Sequence, residues 1–175
     1  LYFVFLYFVF RRRPLPLASK ERRRNLYFVV TKGRGREQVG GRMCSVRSFV
    51  TDDLFNFNHV NLDMLTETYN LSFYLKYLSQ WPEYFLGAQS PNRECMGYIM
   101  GKAEGVGENW HGHISAVTVA PRYRRLGLAA MLIQYLEDMT EEVHDGYFVD
   151  LFVRISNLLA INMYKKFGYV IYRHV

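Results

Sequence analysis

Residues 117–130 read Val117-Thr118-Val119-Ala120-Pro121-Arg122-Tyr123-Arg124-Arg125-Leu126-Gly127-Leu128-Ala129-Ala130. A β-branched run meets a proline and a cluster of arginines, and a glycine with small residues then opens a helical stretch. The first N–H groups of a helix have no intrahelical partner and form an anion site. Three arginines crowd that end, where the macrodipole repels cations; a bound polyanion would relieve this. A glycine in the first turn costs about 1 kcal/mol against alanine, which makes sense where phosphates must lie against bare backbone. The segment is not a P-loop, because no Gly-Lys-Ser/Thr follows. On these residues alone, a ligand-free turn that happens to carry arginines is the competing reading.

Other residues of the chain are of types that do chemistry. His111 and His113 are two apart in a predicted strand and so share a face. That spacing can serve a metal, but no third ligand is evident in the sequence and no metal is expected. Asn157 opens a helix, where an asparagine caps the backbone. Tyr164 lies on the apolar face of that helix, where an aromatic ring reads as core packing. Glu67 and Tyr69 fall in a polar loop.

The elements that must position these groups follow from periodicity and breakers. Strands are expected over residues 45–49, 84–88, 95–103, 111–119, 147–153 and 169–172, and helices over residues 52–59, 72–80, 126–140 and 157–167. Trp81-Pro82 stops the second helix, and Gly168 caps the last. The run at 147–153 is nearly continuous in apolar residues, which predicts burial on both faces. The order β-α-α-β-β-β-α-β-α-β contains a strand-helix-strand crossover, so some pairing is parallel. This is an α/β fold, a mixed sheet with flanking helices.

A chain of 175 residues, half of them apolar and 17% aromatic, can bury one sizeable core. Cys44 and Cys95 have no CxxC spacing and read as buried thiols of a reduced, cytosolic chain. The net charge of +6 is unevenly spread. Residues 1–42 hold eleven basic against two acidic residues, a net +9, while residues 43–175 hold eleven against fourteen, a net −3. The segment Leu1-Tyr2-Phe3-Val4-Phe5 repeats as residues 6–10 and nearly returns at residues 26–30. Ten apolar residues cannot span a bilayer, and a signal peptide carries its charge before the apolar run. Residues 1–42 are therefore expected to be a basic and apolar leader, disordered or non-native, ahead of a domain at 43–175. A basic arm touching RNA is its functional alternative, and the apolar repeat is an aggregation hazard.

The pattern Arg124-x-x-Gly127-x-Ala129 resembles the acetyl-CoA diphosphate loop of the GCN5-related N-acetyltransferases (GNAT). The run Val149-Asp150-Leu151-Phe152-Val153-Arg154-Ile155-Ser156-Asn157, with Ala160, Tyr164 and Phe167-Gly168-Tyr169, resembles the later cofactor-binding half of that family. Residues 61–69, 73–78, 81–85, 96–105 and 110–113 are similar to the NatB-type N-terminal acetyltransferases within it. The resemblance covers residue 43 to the end and implies a GNAT fold and the family's activity. That activity is transfer of acetyl from acetyl-CoA to the α-amine of nascent chains beginning Met-Asp, Met-Glu, Met-Asn or Met-Gln. It implies that Val117, Val119, Arg124, Arg125, Leu126, Gly127, Leu128, Ala129, Ala130, Asn157 and Tyr164 contact the cofactor. Tyr164 is the implied proton donor to the leaving thiolate, and Glu67, Tyr69 and His113 face the peptide, with Glu67 and His113 candidates for handling the amine. The implied partners are a helical-repeat auxiliary subunit, the ribosome reached through it, and nascent peptide N-termini. The implied setting is cytoplasmic, with no membrane and no direct nucleic-acid contact. The family continues past the position of Val175 with more of its sixth strand, a seventh and a tail. The chain is therefore expected to be incomplete there. Two alternatives follow: an inactive scaffold that binds CoA or an auxiliary subunit, or the same fold acting on another amine.

Overall fold

The computed structural model describes residues 3–9, 26–30 and 42–174. In chain order the strands and α-helices are β1 (Phe3–Val9), β2 (Leu26–Val30), β3 (Arg42–Ser48), α1 (Asn58–Asn61), α2 (Leu71–Gln80), β4 (Phe85–Gln89), β5 (Cys95–Glu104), β6 (His111–Val119), α3 (Leu128–Asp138), β7 (Phe148–Arg154), α4 (Leu158–Lys166) and β8 (Val170–His174). One eight-stranded sheet runs β2-β3-β4-β5-β6-β7-β1-β8. Every pairing is antiparallel except β6 with β7, which is parallel as the crossover through α3 requires.

Alternation along the strands divides the core between two faces. In β5, Tyr98 and Met100 enter a cluster with Phe49, Phe57, Val60, Tyr74, Tyr77 and Phe85 beneath α1 and α2. Ile99, between them, enters the other cluster, with Leu86, Ile114, Leu132, Leu136, Leu151 and Ile161 beneath α3 and α4. Cys44 and Cys95 are both buried and are not joined in a disulfide. Burial pushes the Cys95 thiol up to about 11, so it stays protonated and packs as a small apolar side chain.

From β3 onward the order is the one the sequence predicts, with local corrections. The first predicted helix is a 3-10 turn, Thr51–Phe55, followed by the single turn of α1. Asp53 explains the break: its carboxylate accepts from the Val50 amide at 2.9 Å and from the Arg47 guanidinium at 2.6 and 2.8 Å, tying the turn to β3. The cap of α2 is Asn70, which accepts from the Phe73 amide at 2.9 Å. The helix predicted over residues 126–140 begins two residues later and passes into a π-helical turn, Met139–Val143. There Thr140 donates to the Leu136 carbonyl at 2.8 Å, and its hydroxyl meets that of Tyr84 at 3.0 Å.

The leader enters the sheet at two places. β1 lies between β7 and β8, antiparallel to both, and β2 pairs with β3. Val4 is 1% and Leu6 0% exposed, and both belong to the core beneath α3 and α4. Full burial of such side chains stabilises by about 1.5–3 kcal/mol each. The expectation of disorder for the rest of the leader falls on residues outside those described.

Glu137 on α3 is a buried carboxyl. Burial raises its pKa to about 7 against the hydrogen bond it accepts from the Tyr169 hydroxyl at 2.8 Å. A carboxyl raised by burial favours the fold while it is protonated, below its unfolded value near 4.5; that contribution is lost as pH rises through about 7. Glu137→Gln is therefore expected to stabilise the fold at pH 8, by about 2 kcal/mol, and to leave it nearly unchanged at pH 4.5. Urea unfolding of both proteins at the two pH values measures this; equal differences at both would exclude it.

Candidate functional site

The site begins where β6 turns into α3. Ala120 donates to the Met96 carbonyl at 2.9 Å and ends the β5–β6 ladder. Pro121–Tyr123 forms a 3-10 turn. Arg125 then adopts φ 63° and Gly127 φ 84°, the second as the residue that opens α3. Glycine at 127 thus answers a left-handed backbone before the helix rather than a costly place within its first turn. No side chain caps α3, and a Cβ built on Gly127 would meet nothing within 4 Å. The first-turn amides of Leu128, Ala129 and Ala130 therefore stand at an open, uncapped helix end beside the exposed Arg125 and the half-buried Leu126.

The arginine cluster is not held together by one shared anion. Arg122 pairs with Glu94. Arg124 donates from Nε to the Val119 carbonyl at 3.1 Å and from Nη2 to Asp63 at 2.6 Å. Two of the three arginines thus have carboxylate partners within the chain, so their crowding does not by itself require a bound polyanion. Arg124 latches the turn to the loop between α1 and α2.

Beside the turn the sheet parts. β6 pairs with β7 through Gly112, His113 and Ile114 only. The β5–β6 register shifts between Met100 and Gly101, so Ser115 is an extra residue in β6. Its hydroxyl meets that of Tyr77 at 2.6 Å, and its carbonyl accepts from the Tyr69 hydroxyl at 2.9 Å. Beyond this bulge β6 leaves β7. Antiparallel residues alternate between bonded and non-bonded pairs. With Ala120 bonded to Met96, and Val119 opposite Gly97 and Val117 opposite Ile99, the amides of Val117 and Val119 point away from β5 into the opening.

Tyr164 and Asn157 lie on the α4 side of that opening. The Asn157 side chain accepts from the Ala160 amide at 3.1 Å, so it caps α4. Tyr164 is buried in the cluster that holds Leu128 and Val153, with its ring edge-on to Tyr169 at 5.5 Å. Burial pushes its pKa well above the usual tyrosine value.

On the opposite face, His111 and His113 do share one side of β6, and the structure adds what the sequence reading missed. Asp150 of β7 stands between them, 3.2 Å from His111 Nε2 and 2.6 Å from His113 Nδ1. Burial works against the charge on Asp150, but the two imidazole hydrogen bonds outweigh it and hold its pKa below the usual range. An aspartate in a run otherwise apolar was the available signal. Burial of that run on both faces is corrected as well: Phe152 is 48% exposed. The loop over residues 62–70 walls this face. Tyr69 stacks on Phe73 at 4.3 Å. The Thr66 and Thr118 hydroxyls meet at 2.7 Å, and Glu67 accepts from Arg154 at 2.7 Å. Burial raises the Tyr69 hydroxyl to about 12, so it serves as a donor to Ser115. The structure therefore brings Glu67, Tyr69 and His113 to one face of the opening and Tyr164 and Asn157 to the other.

Residues 50–169 match the Acetyltransferase (GNAT) family. The N-alpha-acetyltransferase 20 of Dictyostelium discoideum is 62% identical over 133 residues, 76% of this chain and 77% of its own. Among solved structures, Chaetomium thermophilum Naa20 in complex with a bisubstrate analogue is 44% identical with a TM-score of 0.70, over 73% of this chain and 72% of that one. A NatB acetyltransferase complex bound to CoA and MES is 46% identical with a TM-score of 0.68, over 73% and 84%.

The latch is the part of this geometry most open to test without any ligand. Asp63→Asn removes the charge opposite Arg124 and is expected to cost about 1–2 kcal/mol and to speed amide exchange in residues 62–70. Hydrogen exchange followed by mass spectrometry reads it; unchanged protection of that loop would show that Arg124 does not hold it.

Proposed function

The chain belongs to the acetyltransferase (GNAT) family, and on that footing we propose that it is an N-terminal protein acetyltransferase of the NatB type. It moves acetyl from acetyl-CoA to the α-amine of chains beginning Met-Asp, Met-Glu, Met-Asn or Met-Gln. The observation that carries this reading is the uncapped, glycine-opened end of α3 beside the parting of β6 and β7. Acetyl-CoA, when bound, supplies an acyl group activated as a thioester. The residues fit that cosubstrate: the amides of Leu128, Ala129 and Ala130 and the charge of Arg125 suit a diphosphate. The small side chains at 129 and 130 let it approach the backbone. The amides of Val117 and Val119 suit the carbonyls of an extended arm, and Asn157 keeps its amide nitrogen for a further contact.

The acceptor side needs no strong base. A peptide α-amine has a pKa of about 7.7–8.0, so part of it is neutral at pH 7. With His113 Nδ1 engaged by Asp150, its Nε2 is the atom left to take an amine proton or, when protonated, to donate to an acidic second side chain. Glu67, fixed by Arg154, is the carboxylate on the other wall. Tyr164 is assigned to the leaving sulfur. Its raised pKa makes it a hydrogen-bond donor that stabilises a thiolate more readily than one that gives up its proton. Most of the acceleration comes from holding amine and thioester together.

The partner in this reading is an auxiliary subunit of the NatB type, which carries the enzyme to nascent chains at the ribosome in the cytoplasm. Phe55, Leu62, Met64, Leu71 and Leu75, on and around α1 and α2, are between 40% and 96% exposed, and exposed apolar side chains of this kind suit a partner's cover. Among the described residues no helix is long and apolar enough to cross a membrane.

Peptides beginning Met-Asp and Met-Glu are expected to be acetylated at least tenfold faster, by kcat/KM, than one beginning Ser-Ala. Activity confined to Ser-Ala or to lysine side chains would overturn the acceptor assignment. Tyr164→Phe is expected to lower kcat about tenfold, the worth of one hydrogen bond to a developing charge, with little change in KM. Unchanged turnover would remove Tyr164 from that role.

A further inference from the structure

We infer that the N-terminal strand forms one wall of the acceptor site and that Phe5 positions the peptide beyond its first residues. The inference rests on the N-terminal acetyltransferase reading above. β1 lies between β7 and β8, with Phe5 opposite Phe152. Its neighbours Val4 and Leu6 are fully buried in the core beneath α3 and α4, so strand alternation turns Phe5 to the other face, the face of His113 and Asp150. There its ring lies 5.1 Å from Phe152 and 5.6 Å from Tyr172, with the Arg173 guanidinium 5.8 Å from its centroid. The Phe152 ring is in turn 5.7 Å from His113.

An aromatic row thus leaves the imidazole proposed to meet the amine and runs outward over Phe152 and Phe5 to Tyr172. Arg154, two residues beyond Phe152 in β7, bonds Glu67 and closes the row on the side of the loop. Phe152 and Tyr172 are 48% and 63% exposed, so the row is an open shelf rather than core. Continuity with the reacting end identifies its occupant as the acceptor chain itself. An extended peptide rises about 3.3 Å per residue. It therefore reaches Phe5 about three residues after the one beside His113. Aromatic rings with an arginine beside them suit apolar or aromatic residues there, on the peptide's downstream side. The second residue of the substrate is read elsewhere, and this shelf adds a preference further along.

The test uses the full chain and two peptides that share Met-Asp, one with leucine and phenylalanine at positions 4–6 and one with glycine and serine there. Wild type is expected to show a KM about tenfold lower for the apolar peptide. Phe5→Ala should abolish that difference while kcat and the KM for acetyl-CoA stay within twofold. Phe5→Tyr should preserve it, and Phe5→Leu, which keeps an apolar strand residue, guards against a folding defect by giving an intermediate value. Equal KM values in wild type, or a Phe5→Ala effect shared equally by both peptides, overturns the shelf while leaving the acetyltransferase reading intact. Absence of acetylation on every N-terminal peptide by wild type removes both.

Discussion

The Ser115 bulge is the constraint from which the rest of the site follows. One extra residue in β6 breaks its register with β5 and ends its pairing with β7 after Ile114. A parallel pair that ran to Val119 would bond the amides of Val117 and Val119 into the sheet and leave nothing for an extended ligand. The bulge is held open by two tyrosines: Tyr77 at the Ser115 hydroxyl and Tyr69 at its carbonyl. The aromatic residues of α2 and of the loop before it therefore do more than fill the core. They satisfy the polar groups that the bulge frees, which would otherwise be costly to bury.

Charge pairs within the chain tie together the segments around the opening. Asp63 neutralises Arg124 and ties the loop to the turn, Glu94 neutralises Arg122, and Glu67 holds Arg154 across the far side. On the sheet, one buried carboxylate serves two imidazoles, which fixes the orientation of both rings. The arginine pairs are partly exposed and individually modest in energy. Their effect is geometric: two of them fasten the loop over residues 62–70 to the turn before α3 and to β7, and the Thr66–Thr118 and Tyr69–Ser115 hydrogen bonds fasten it to β6.

The N-terminal strand changes the account of the sheet. Val4 and Leu6 are as deeply buried as any residue of the central strands. A strand set between β7 and β8 lets those two run parallel without touching, and puts a ring from the start of the chain on the face that carries His113. The apolar repeat alone reads as an aggregation hazard, since an extended run of alternating aromatic and aliphatic residues seeks any open strand edge. Here two such edges are available, one in the β7–β8 gap and one beside β3.

Element types and their order after residue 42 were legible in the sequence because hydrophobic period, Pro82, Gly168 and the caps are local signals. The glycine-opened turn was legible only as a helix start: local signals put Gly127 inside the first turn, whereas its φ of 84° sets it just before α3. The first predicted helix failed because Asp53 bonds back to Arg47 and Val50, which helical periodicity does not register. Partners distant in sequence were not legible: Asp150 between the two histidines, Asp63 on Arg124, Tyr69 and Tyr77 on Ser115, and Phe5 on Phe152. Those are decided by strand register and loop closure, where the free energy of a contact depends on which segments the fold brings together rather than on either segment alone. The sequence by itself determined which groups could act. The tertiary structure decided which of them face one another.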